Sequence, residues 1–117
     1  MTRDELFQYA QDYHNVRPEY LWARTPGYAI LRHAQNRKWY AAVIDISRAR
    51  LGLPGEEIID ILNVKCDPAL AASLNTQPGF LPAYHMNKEH WITVLLDGTV
   101  PDEEIRTLLD MSYELTK

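Results

Sequence analysis

The chain has 117 residues, 46% of them hydrophobic and 10% aromatic, with a formal net charge of −4 and a single cysteine, Cys66. That length holds one core and not two, the apolar fraction is enough to fold without metal or disulfide staples, and one cysteine forms no internal disulfide. The opening residues lack the basic start and apolar run of a signal peptide, and Trp91 to Leu96, the longest mostly apolar stretch, is far short of the ~20 residues that span a bilayer, so a cytoplasmic, membrane-free single domain over residues 1–117 is expected.

Thr2-Arg3-Asp4-Glu5 has the spacing of a capping box, in which the Thr hydroxyl and the Glu carboxylate each satisfy a free N–H of a first helical turn. Leu6, Phe7, Ala10 and Tyr13 follow on one helical stripe, which Asn15 and the approaching Pro18 terminate. From Tyr20 to Ser47 aromatic and β-branched residues alternate with polar ones. This predicts strands over Tyr20–Arg24, Tyr28–His33 and Trp39–Ile46, with Ala34-Gln35-Asn36-Arg37 as a polar hairpin connection. Leu51-Gly52-Leu53-Pro54-Gly55 reads as a loop, and Ile58 to Lys65 as a fourth strand, although its apolar spacing also fits a short helix.

Asp67-Pro68 starts a short helix with Leu70, Ala71 and Leu74 on its buried face, ended by Pro78-Gly79. His90 to Leu96 is nearly continuous in apolar content, which predicts a central strand covered on both faces. The last helix opens at Pro101-Asp102, where three successive acids suit the positive end of the helix dipole. Its stripe is Ile105, Leu108, Leu109 and Leu115, with Ser112 as the one weak position. The expected fold class is α+β: an antiparallel sheet of about five strands with N-terminal and C-terminal helices and one short internal helix.

The charge is divided along the chain. Arg17 to Arg50 holds seven basic residues against two acids, a local +5, whereas the residues from Leu51 onward carry −7. Arg32, Arg37 and Lys38 surround the hairpin, and Arg48 and Arg50 follow the next strand. Basic loops of this kind either are solvated surface or track a phosphate backbone, with Trp39 or Tyr40 available to stack on a base.

The densest polar cluster is the corner Tyr84, His85, Asn87, Lys88, His90 and Trp91. It reads either as a turn sealing the core or as a recognition surface for a small molecule or a protein. His85 and His90 lack the third ligand that zinc normally needs, so no metal is expected. Cys66 precedes a helix start but has no sequence-defined base. No glycine-rich phosphate loop occurs, so no cofactor and no catalytic residue are expected.

Lys65-Cys66-Asp67-Pro68, Pro78-Gly79, Pro82-Ala83-Tyr84-His85-Met86-Asn87-Lys88 with His90-Trp91-Ile92, and Asp97-Gly98 through Pro101-Asp102-Glu103-Glu104 resemble the bacterial YjbR/MmcQ family. The resemblance implies a frataxin-like (CyaY-like) fold and DNA binding through a double-wing arrangement of sheet loops. On this sequence it makes Arg32, Arg37, Lys38, Arg48 and Arg50 candidates for phosphate contacts and Lys88 the signature residue best suited to an anion. A frataxin-like fold also raises iron binding, but Asp4 and Glu5 are needed at the first helix start, and that role is not carried over. The expectation is a monomeric, non-enzymatic binding protein with DNA as the leading partner and the Tyr84–Trp91 corner as the alternative site.

Overall fold

The computed structural model describes all 117 residues. Helix α1 (Arg3–His14) starts on the expected capping box: Glu5 N–H donates to the Thr2 hydroxyl at 3.1 Å and Thr2 N–H to the Glu5 carboxylate at 2.9 Å. It ends at Asn15 in the left-handed conformation, φ 55°. Strands β1 (Ala29–Arg32), β2 (Trp39–Ser47) and β3 (Ile58–Lys65) follow, with a 3₁₀ turn at Arg48–Leu51 between the last two. Helix α2 (Pro68–Leu74) is capped by the Asp67 carboxylate, which accepts from Ala69 and Leu70 N–H. Strands β4 (Phe80–Pro82) and β5 (Trp91–Leu95) and helix α3 (Asp102–Leu115) complete the chain.

All strand pairs are antiparallel, in the order β1-β2-β3-β5-β4. Strand alternation then sorts the side chains. Ala29, Leu31, Ala41, Val43, Leu62, Val64, Ile92 and Val94 join one core with Leu6 and Phe7 of α1, Leu74 of α2, and Ile105, Leu108 and Leu109 of α3, so all three helices lie on one face. Full burial of each large aliphatic there is worth roughly 1.5–3 kcal/mol. On the other face Ile44, Ile46, Ile61 and Leu95 are covered by loop and edge residues instead, among them Tyr28, Leu51, Leu53 and Tyr84.

Three expectations need correction. Tyr20–Arg24 is not a strand: only Glu19 bridges β1, through paired backbone bonds of 2.9 Å with Ile30, and Tyr20, Leu21 and Trp22 are exposed. A turn closed by Tyr28 N–H on the Thr25 carbonyl, with Pro26 inside it, peels the chain away from the edge before a ladder forms. The fifth strand is β4, missed because it is three residues long and ends in Pro82, which an edge strand tolerates. Residues 91–95 are covered on both faces, but β3 holds the centre and β5 lies beside it, because β4 adds only one strand on its outer side.

Tyr40 is the extra residue of a β-bulge, since Leu31 pairs with Ala41 while Arg32 pairs with Trp39. The Ser112 hydroxyl bridges β2 and β3 there, accepting from Lys65 N–H at 2.9 Å and donating to the Tyr40 carbonyl at 2.6 Å. The fully buried Tyr40 phenol bonds His14 Nδ1 at 3.0 Å. His14 Nε2 meets Asp110 at 2.8 Å, and the Tyr9 hydroxyl donates to the same carboxylate at 2.7 Å. Burial, together with Asp110, pushes the Tyr9 phenol up to about 12, and burial raises Tyr40 also, so both remain protonated donors at neutral pH.

Candidate functional site

The basic candidates fall in three places. Arg32, Arg37 and Lys38 lie at the β1–β2 turn and Arg48 and Arg50 at the far end of β2, roughly 26 Å of strand away at ~3.3 Å per residue. Lys88 sits on the separate loop between β4 and β5. Half of the set is engaged within the molecule. Arg32 makes a two-pronged bond to Glu19 at 2.8 and 2.7 Å, and that bond holds the Glu19 carboxyl below the usual range. Arg48 donates to the Pro54 carbonyl at 2.8 Å and lies 3.5 Å from Asp97, and Lys88 donates to the Ala83 carbonyl at 2.8 Å.

Arg37, Lys38 and Arg50 are exposed and make no ion pair. The hairpin tip is fixed to the end of α3, with the Asn36 amide donating to the Thr116 carbonyl at 2.9 Å and His33 Nε2 on the Thr116 hydroxyl at 2.7 Å. Burial pushes the His33 imidazole below its ordinary range. Tyr40 is not available to stack on a base, because the bulge turns it into the core, where it is fully buried.

The Tyr84–Trp91 corner is held onto the helix-free face by a buried polar relay. The Thr93 hydroxyl donates to the Asn63 side-chain amide oxygen, the Asn63 amide nitrogen donates to the Tyr84 backbone carbonyl at 3.0 Å, and Tyr84 N–H donates to the Thr93 hydroxyl at 2.9 Å. Asn87 is spent inside the loop, accepting from Glu89 and His90 N–H at 2.9 and 3.2 Å. His85 adopts φ 58°, a left-handed conformation that costs a non-glycine residue on the order of 1 kcal/mol. Trp91 stands opposite Lys65 across the β3–β5 pair.

Tyr84, His85 and Met86 form one wall of a cleft of about 260 Å³, which sequence reading did not locate. Trp22, Thr25 and Tyr28 form another and Trp39 a third, over a floor of Ala29, Ala42 and Ile44. The Trp22 ring meets Trp39 at 5.6 Å and 80° and Tyr28 at 6.4 Å and 77°, both edge-to-face, which is a favoured aromatic geometry. The Trp22–Tyr28 wall is tethered from behind: Arg3 of α1 donates to the Gly27 carbonyl at 2.8 Å while gripping Asp60 at 2.7 and 3.0 Å. Gly27 leaves room for the Asp45 carboxylate, which would have to move aside for a Cβ at that position.

Comparison with known proteins places this geometry in a family. The YjbR family model matches residues 11–115, which takes in every residue lining the cleft. The chain belongs to the YjbR/MmcQ family. Within that family it is 42% identical to the uncharacterized protein YyaQ of Bacillus subtilis (strain 168) over 117 residues, covering all of this chain and 99% of the relative. It is 37% identical to the uncharacterized protein YjbR of Escherichia coli (strain K12) over 97% of this chain and 86% of the relative. A crystal structure of a Pseudomonas syringae protein, 44% identical, superposes with a TM-score of 0.97 over the whole of both chains.

The family signature contributes Tyr84, His85 and Met86 to the cleft, and the opposite wall comes from Trp22, in the segment expected to be a strand, and from Tyr28, just before β1. The signal for that wall was in the sequence: an aromatic cluster, Tyr20, Trp22 and Tyr28, interrupted by Pro26-Gly27, reads better as a turn presenting rings than as a ladder. Cys66 is buried, and burial pushes its thiol up, away from the thiolate a nucleophile requires.

Proposed function

We propose that this YjbR-family protein is a cytoplasmic, non-catalytic binding protein whose aromatic cleft takes a small, planar, largely apolar ligand. The observation that carries the reading is convergence: rings from Trp22, Tyr28, Trp39 and Tyr84, three of them in edge-to-face contact, line one cleft on the face that no helix covers. At about 260 Å³ the space is just below the size of sites that bury drug-sized ligands, and it fits a compound of one or two fused rings. The rings supply flat contact area, and the lining offers few polar groups for hydrogen bonding.

Titration with indole, followed by amide and indole N–H chemical shifts, is expected to move Trp22, Trp39 and residues 84–86 while leaving residues 34–37 and 48–51 unmoved. Trp39→Ala should weaken binding by tenfold or more. Shifts confined to the hairpin and the 3₁₀ turn, or none, would reject the reading.

A second reading is supported by Arg37, Lys38 and Arg50, whose charges are free on two loops at opposite ends of β2. This is the placement that a double-wing grip on DNA in a frataxin-like fold calls for. Three phosphate contacts give a salt slope of roughly −2.7 in log K against log salt. Arg37→Ala combined with Lys38→Ala should reduce that slope by about 2 for duplex DNA, and an absence of binding at low salt would remove this reading.

A further inference from the structure

The sheet separates charge by face. Its strands hold four charged residues. Asp45 and Asp60 lie opposite each other on the helix face, while Arg32 and Lys65 alternate onto the face that carries the cleft. Arg32 is offset by Glu19, and Lys65, half-buried beside Trp91, makes no ion pair. The two wall loops repeat the bias. Arg24 lies between the lining residues Trp22 and Thr25. Lys88 donates to a neutral carbonyl and makes no ion pair, and the two acids of these loops are Glu19, which is taken up by Arg32, and Glu89. No carboxylate lines the cleft.

We infer that the ligand is an aromatic anion: a planar ring system seated between Trp22, Trp39 and Tyr84, with a carboxylate at its edge directed toward Lys65 and Arg24. The inference rests on the cleft reading above and narrows it. An aromatic box alone would also suit a cation through the faces of its rings, and such a site normally adds a carboxylate. Here the surrounding charge has the opposite sign. A like-charged ligand is repelled by the same groups that draw in an anion, so the cleft discriminates by charge as well as by shape.

The test uses three probes of one ring system on the intact chain: indole-3-acetate, indole and tryptamine, followed by tryptophan fluorescence and amide shifts. At low salt indole-3-acetate should bind several-fold more tightly than indole and about tenfold or more above tryptamine. The differences should shrink as added salt screens the rim charges. Lys65→Gln with Arg24→Gln should bring the three affinities within about twofold. Arg24→Gln alone, on an exposed loop, should cut the preference roughly by half and serves if the double variant folds poorly. Equal binding of all three probes, tightest binding of tryptamine, or a preference undiminished in these variants would overturn the anion inference while leaving the cleft as a binding site. No binding of any probe would overturn both.

Discussion

Ser112→Ala is expected to lower the unfolding free energy by roughly 2–4 kcal/mol, because it orphans two buried backbone groups at once. In wild type one hydroxyl accepts from Lys65 N–H and donates to the Tyr40 carbonyl, filling the gap that the bulge opens between β2 and β3. Alanine fills nearly the same volume and favours helix more than serine does, so helix propensity works in the opposite direction by a few tenths of a kcal/mol. The loss is therefore assigned to hydrogen bonding and not to packing. Urea denaturation should show a lower midpoint at unchanged slope. A loss under about 0.5 kcal/mol would mean that a water molecule can replace the hydroxyl in the bulge.

Arg3→Ala is expected to cost roughly 1–3 kcal/mol at neutral pH, the range for hydrogen bonds to a charged group that is only partly shielded from water. The guanidinium holds Asp60 in a two-pronged bond, and Asp45 stands directly across the β2–β3 pair, so its removal leaves two carboxylates facing each other without a cation. Added salt screens that repulsion. The gap between wild type and variant should accordingly narrow as ionic strength rises, and thermal melts at low and high salt measure it. A constant gap would show that the guanidinium acts by packing.

The same variant also releases the Gly27 carbonyl, so the Trp22–Tyr28 wall loses its tether and indole affinity should drop several-fold. Arg3→Lys keeps the charge but not the fork that reaches two partners, and should fall between the two.

The two terminal helices were legible because their ends carry local chemistry. Thr2 and Glu5 close a box over three residues, and Asp102, Glu103 and Glu104 sit at a dipole that attracts them. Ser112 was legible only as an interruption of an apolar stripe. Its purpose depends on a bulge some seventy residues earlier in the chain, and no local pattern encodes that partner. The cleft failed to show for the same reason. Its rings come from residues 22, 28, 39 and 84, and the strand-like composition around Tyr20 to Tyr28 reflects exposed aromatic rings and not a ladder. The basic segment illustrates a different limit. The count of +5 already subtracts Glu19, the partner of Arg32, but Asp97, far away in sequence, pairs with a further member, Arg48, and β2 holds the basic loops at its two ends apart.

The placement of helices on one side of the sheet has an evolutionary consequence. The helix side carries most of the cohesion, in a core shared by all three helices, whereas the cleft side is built from two loops with local anchors. Residues such as Trp22, Thr25, His85 and Met86 can then be exchanged without disturbing the cohesive half, provided the Arg3 tether and the Asn63–Thr93 relay stay in place. On the binding reading proposed above, selection on the cleft lining is thereby separated from selection on folding, and a scaffold of this design can vary its cleft while the helix-side core is kept.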